Sequence, residues 1–192
     1  MTPNRCERPS HRAVRRVLAV LALAAIPVAG GAQTYPRTLL ATAETAATAG
    51  SATGAFTIQI DQLMSDRDFK KVADALKYGG YLKFVPALRE APPLGFVQIA
   101  DRKTVIRYAR VRDDKRLVVG TDRPVFFVGA GAPDAKPKTG YDVAVIELDV
   151  DAAGNGKGTI AAAARVRPAP DGSVLIDDYA EQPIRLSIKP AK

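Results

Sequence analysis

The sequence predicts an α+β fold: mainly antiparallel β, as a meander or barrel-like curved sheet, with two short helices near the N-terminal side. Three observations carry this. From Leu94 onward, apolar and polar residues alternate in short runs separated by turn residues. Within 65–90 the apolar spacing is helical instead, with start and stop signals. Short connections such as Asp113-Asp114 and Asn155-Gly156 favour hairpins, hence antiparallel neighbours.

Residues 1–32 read as a signal peptide. Arg5, Arg8, Arg12, Arg15 and Arg16 face the single acid Glu7, an apolar run follows from Val17 to Ile26, and Ala29-Gly30-Gly31-Ala32 supplies the small residues of a cleavage site. Cleavage after Ala32 leaves Gln33 as N-terminus and places the protein in the periplasm or outside the cell. The run is short for a bilayer span, and no later stretch approaches that length, so no membrane span is expected after leader removal. Cys6 precedes the apolar run, so it is not positioned as a lipoprotein cysteine.

Residues 33–54, rich in Ala, Thr, Gly and Ser, are expected as a flexible low-complexity segment, with a single β-rich domain over 55–192. Phe56, Ile58 and Ile60 alternate with Thr57, Gln59 and Asp61 as a half-buried strand. Ser65 with Asp68 three residues later forms a near capping box, and Phe69, Val72, Ala73 and Leu76 share one helical face. Gly79-Gly80 ends that helix. A second one over 82–90 is expected to bury Leu82, Val85 and Leu88, with Pro86 in its first turn and Pro92-Pro93 as its stop. Strands are then expected at 95–100, 104–112, 116–121, 125–128, 142–149, 158–167, 173–176 and 184–188. The Pro/Gly-rich segment 129–140 reads as a loop.

Composition excludes more than it specifies. The chain has one cysteine (Cys6), one histidine (His11) and no tryptophan, so without the leader there is neither thiol nor imidazole. That removes disulfides, Cys/His metal or haem ligation, and Cys- or His-dependent catalysis. The leader also takes five of 28 basic and one of 20 acidic residues, leaving 23 and 19, a net charge of +4 in place of +8. Such a surface suits a soluble protein and argues weakly for nucleic acid.

Several phrases are more specific: VVGTDRP (118–124), YDVAVIELDVDAAGNGKG (141–158), IDDYAEQPIRL (176–186), DFKKVADALKYGG (68–80) and LKFVPALREAPPLGFV (82–97). Together they resemble a family of secreted, uncharacterised bacterial proteins, over roughly residues 56–188. The resemblance implies a stand-alone exported domain of unknown function and transfers no catalytic residue.

Other constellations have plainer explanations. Asp149, Asp151, Gly154 and Asn155 suggest a calcium loop, but the twelfth position is Ile160 and the flanks are strand-like, so a polar hairpin turn accounts for them. The basic stretch Arg102, Lys103, Arg107, Arg110, Arg112, Lys115 and Arg116, with Tyr108 among them, is broken by Asp101, Asp113 and Asp114 and reads as the solvated face of a hairpin. Gly129-Ala130-Gly131 has Asp134 where a nucleotide fingerprint needs its third glycine. Glu147, inside an apolar strand, is the carboxylate that stands out. No metal, cofactor or nucleic acid is expected. The function expected is a non-enzymatic domain binding a protein partner or small apolar ligand, with Phe96, Phe126, Phe127 and Glu147 as candidate lining. The alternative is a carboxylate-based hydrolase acting outside the cytoplasm through Glu147.

Overall fold

The computed structural model describes residues 35–47, 50–112, 115–126, 138–180 and 183–191. Along them run β1 (Arg37–Ala47), β2 (Gly50–Ile60), α1 (Asp66–Glu90), β3 (Gly95–Ile99), β4 (Arg102–Val111), β5 (Leu117–Thr121), β6 (Val143–Val150), β7 (Gly156–Pro168), β8 (Val174–Tyr179) and β9 (Ile184–Pro190). The leader, Phe127 and the Gly129-Ala130-Gly131 stretch lie outside the described residues.

The class expected from sequence is corrected here. Strands β1 to β7 and β9 close into an eight-stranded antiparallel barrel carrying one helix; β8 extends the sheet from the far end of β7. The closing strand is β1, which pairs with β2 on one side and β9 on the other. It occupies much of the segment expected to be flexible. Leu39, Ala41 and Ala43 are buried while Leu40 and Thr42 are exposed, a two-residue period built largely from small side chains. Those weakly hydrophobic residues suffice because they face a crowded lumen. The strand expected over 125–128 is also absent from its described part: Val125 is irregular, tied by its N–H to Ala162 O (2.8 Å).

Cross-strand pairing separates two faces. Ile184, Leu186 and Ile188 are buried on β9 while Arg185, Ser187 and Lys189 are exposed, which defines inside and outside. Ile160, Ile146, Val119 and Ala109 continue the inner row from Ile184 across successive pairs. An eight-stranded barrel has an interior just wide enough for side chains to fill. Ile58, Ile60, Ile106, Leu117, Ile146 and Ile160, all fully buried, fill it.

The outer face of β4 to β7 is covered by α1, which packs against β4 and β7. Ser65 caps the helix by accepting from Asp68 N–H (3.1 Å), as the sequence spacing predicts. At Gly80 (φ 65°, ψ −167°) the geometry is not helical. Asp68, Lys71 and Val72 line a shallow groove together with Ala87, Glu90 and Ala91. In a straight helix those groups would be about 28 Å apart, so the element doubles back at Gly80. The two short helices expected from sequence are therefore halves of one 25-residue helical element. The second half buries Phe84, Val85 and Leu88, whereas Leu82 is 85% exposed, contrary to its expected burial.

Two tyrosines fasten this cover. Tyr108, on the outer face of β4, accepts from Val174 N–H (3.3 Å) and packs beside Phe69 of α1. Tyr81 accepts from Asp142 N–H (2.7 Å) and donates to Ala164 O (3.2 Å). Burial pushes both phenols from 10.0 up to about 12. In the unfolded chain they lose their protons near pH 10 while the folded chain retains them, so stability falls as pH rises from about 10 towards 12. Thermal unfolding across that range should show the fall, and Tyr108→Phe should flatten it.

Candidate functional site

The most distinctive groove lies beside the β3–β4 hairpin. Ile99 pairs with Arg102 across a two-residue turn, Ala100-Asp101, and Ala100 adopts φ 52°. A non-glycine residue there is held against its preference, which fixes how the hairpin presents Arg102 and Lys103. The opposite wall is the segment after β5. Thr121 Oγ1 donates to Arg123 O (2.6 Å) and accepts from Ala144 N–H (3.0 Å). The Asp122 carboxylate lies 3.7 Å from Arg107 Nε and accepts from Arg123 Nε (3.3 Å). Arg89 Nε donates to the Asp122 carbonyl (3.2 Å).

Between these walls is a groove of about 320 Å³ lined by Ile99, Arg102, Lys103, Thr104, Arg123, Pro124, Val125 and Phe126. Its volume is at the low end for small-molecule sites, roughly 300–1,000 Å³. The described lining holds three cations and no carboxylate, over an apolar surface from Ile99, Pro124, Val125 and Phe126. Of the candidate lining residues, Phe126 borders this groove. Phe96 does not: its ring lies on the barrel's outer face, 4.3 Å beneath Lys103 Nζ, where the ring quadrupole attracts the ammonium. Phe127 lies outside the described residues.

Glu147 lies in a separate place. Paired with Val118 and Thr159, it lines an open depression of about 200 Å³ with Arg116, Asp149, Lys157, Gly158 and Thr159. Oε1 accepts from Arg112 Nη1 and Oε2 from Arg116 Nη1, both at 3.1 Å. Each carboxylate oxygen therefore has a guanidinium partner. Comparisons with family models, curated proteins and solved structures find no match.

The remaining basic residues of β4 are likewise engaged. Arg107 donates to Ala91 O (2.5 Å), and Arg110 donates to Asp66 (2.7 Å) while lying 4.4 Å over the Phe69 ring. Tyr108 is 1% exposed and is not available for stacking on a base. In the β6–β7 turn, the Asp151 and Ala152 carbonyls accept from Arg37 Nη2 (2.6 and 3.0 Å), and Asn155 N–H donates to Asp151 Oδ1 (2.9 Å). Among the described residues no three Asp, Glu, His or Cys side chains cluster as metal ligands, and no helix is long and apolar enough to cross a membrane.

Sequence reasoning misses Ile99, Thr104, Arg123, Pro124 and Val125 as groove residues and reads Arg102 and Lys103 only as part of a solvated hairpin face. Only folding brings the segment after β5 beside the β3–β4 hairpin; the signal available was Arg123-Pro124 directly after a strand, a boundary pattern without chemical specificity.

Proposed function

We propose that this is an exported, non-enzymatic binding domain whose ligand is a small amphipathic anion, held in the groove beside the β3–β4 hairpin. The observation that carries the reading is the lining itself: Arg102, Lys103 and Arg123 around an apolar surface, with no carboxylate among the described lining residues. Charge-assisted hydrogen bonds from guanidinium and ammonium groups suit a carboxylate, sulfonate or phosphate head. Ile99, Pro124, Val125 and Phe126 offer the complementary apolar contact. Export is supported by the arginine-rich, apolar, small-residue order of residues 5–32. The binding reading is favoured over the hydrolase because both Glu147 oxygens already accept from arginines.

Isothermal titration with dodecanoate and with dodecanol is the direct test. Dodecanoate should bind and dodecanol should bind at least roughly tenfold more weakly, the worth of one charge-assisted contact. Lys103→Ala/Arg123→Ala should weaken dodecanoate by a similar factor or more. Absence of dodecanoate binding, or equal binding of acid and alcohol, overturns the proposal.

A further inference from the structure

The bend of α1 displays a second surface, remote in character from the groove. Around Gly80 the sequence reads Lys77-Tyr78-Gly79-Gly80-Tyr81-Leu82-Lys83. Tyr78 is 77% exposed and Leu82 85% exposed, two of the exposed large apolar side chains of the described residues. They flank the reversal, so they project from a convex knuckle. The knuckle is firmly seated: Leu76 and Phe84 are each 2% exposed, and Tyr81 hydrogen-bonds to both Asp142 N–H and Ala164 O. At Gly79 a Cβ would lie 2.4 Å from Lys83 Cγ, so the stem of Lys83 occupies the space a larger residue would need. Lys77 and Lys83 are both exposed, and no acidic residue occurs in the chain between Asp74 and Glu90. Asp74 itself pairs with Lys70 at 2.6 Å.

We infer that this knuckle docks the protein on an anionic lipid surface. Its chemistry fits that occupant: Leu82 supplies an apolar wedge, Tyr78 an amphipathic ring of the kind favoured at headgroup depth, and Lys77 and Lys83 ammonium groups for lipid phosphates. Its shape disfavours a protein partner or a second copy. A specific protein interface buries about 800 Å² on each side, whereas the apolar part of this tip is two side chains on a convex turn. A fluid headgroup layer accepts such a tip without a complementary pocket. The attachment is peripheral and salt-sensitive, because exposed charges are screened over about 10 Å at 0.1 M ionic strength.

Co-sedimentation of the purified protein with large unilamellar vesicles tests this. Vesicles of equal phosphatidylglycerol and phosphatidylcholine should pull down the protein at low salt, and phosphatidylcholine alone should not. Tyr78→Ser/Leu82→Ser and Lys77→Glu/Lys83→Glu should each reduce binding roughly tenfold or more. Both pairs are exposed, so the circular dichroism spectrum should stay that of the parent chain and loss of binding is not loss of fold. Equal binding to both vesicle types overturns the inference, as does parental binding by either double variant. Sedimentation velocity without lipid gives a further check: a dimer abolished by Tyr78→Ser/Leu82→Ser assigns the tip to self-association and also overturns it.

Discussion

Gly95→Ala should cost about 3–5 kcal/mol, enough to lower the thermal midpoint by roughly 10 °C in a domain of this size. Gly95 opens β3 at φ 144°, a conformation L side chains rarely adopt, and it sits where β2 and β3 approach closely. A Cβ at this position would lie 2.0 Å from Gln59 O, 2.9 Å from Gln59 C and 3.1 Å from Ile60 Cα. All three are backbone atoms, so no rotamer change relieves the clash; the β2–β3 pairing itself must shift. Ile60 is paired with Gly95 and fills the lumen, so the shift disturbs the core as well as the ladder. Gly140→Ala isolates the conformational part of the cost. Gly140 has φ 87° with open space around its Cβ position, so its replacement should cost only about 1 kcal/mol. Urea unfolding of both variants supplies the comparison. Equal stabilities would mean that β2 and β3 do not approach as closely as the backbone geometry requires.

The same glycine shows how far the fold is legible in the chain. A strand beginning at Gly95 is readable from Phe96, Val97 and Ile99 beyond Pro92-Pro93, but the need for glycine is not, because it comes from contact with a strand 35 residues earlier. The helix start is readable because Ser65 and Asp68 act on each other locally. Closure of the barrel is hidden for the opposite reason. Ala41 and Ala43 carry too little hydrophobicity to mark β1 by themselves, and their burial depends on neighbours such as Ile188 and Leu186, about 145 residues away. Leu82 misleads in another way: its spacing to Val85 suggests a shared face, but the side turned to the barrel is centred between Phe84, Leu88 and Tyr81, and at roughly 100° per residue Leu82 falls outside it. In the groove, Phe126 is visible in sequence as an aromatic residue of the strand expected over 125–128, which its described part does not form. Its companionship with Arg102, Lys103 and Arg123 is tertiary, and so is the role of Phe96 as a platform under Lys103.

Glu147→Ala should destabilise the protein by about 2–4 kcal/mol, and the sign of that change bears on what this carboxylate is for. Arg112 is the decisive partner. Its side chain is only 10% exposed, and it donates to Glu147 Oε1 at 3.1 Å. Without the carboxylate, a mostly desolvated guanidinium keeps its charge and loses one of its partners, while the Asp171 carboxylate stays within its field. Arg116 is 44% exposed at the same distance, so water screens its pairing and Arg116→Ala should cost only about 0.5–1 kcal/mol. Arg112→Ala/Glu147→Ala should therefore be less destabilising than the sum of its single changes by about 1–3 kcal/mol, since the double change removes both buried charges together. A carboxylate kept for chemistry behaves differently: replacing it commonly leaves stability unchanged or raises it, because activity is often purchased with local instability. A chemical-denaturation cycle over the four proteins separates the two cases. Destabilisation with positive coupling fixes Glu147 as a clamp joining the β4–β5 hairpin to β6. A stabilised Glu147→Ala protein with no coupling to Arg112 would return it to the hydrolase reading, with Asp149 beside it in the same depression as the second carboxylate.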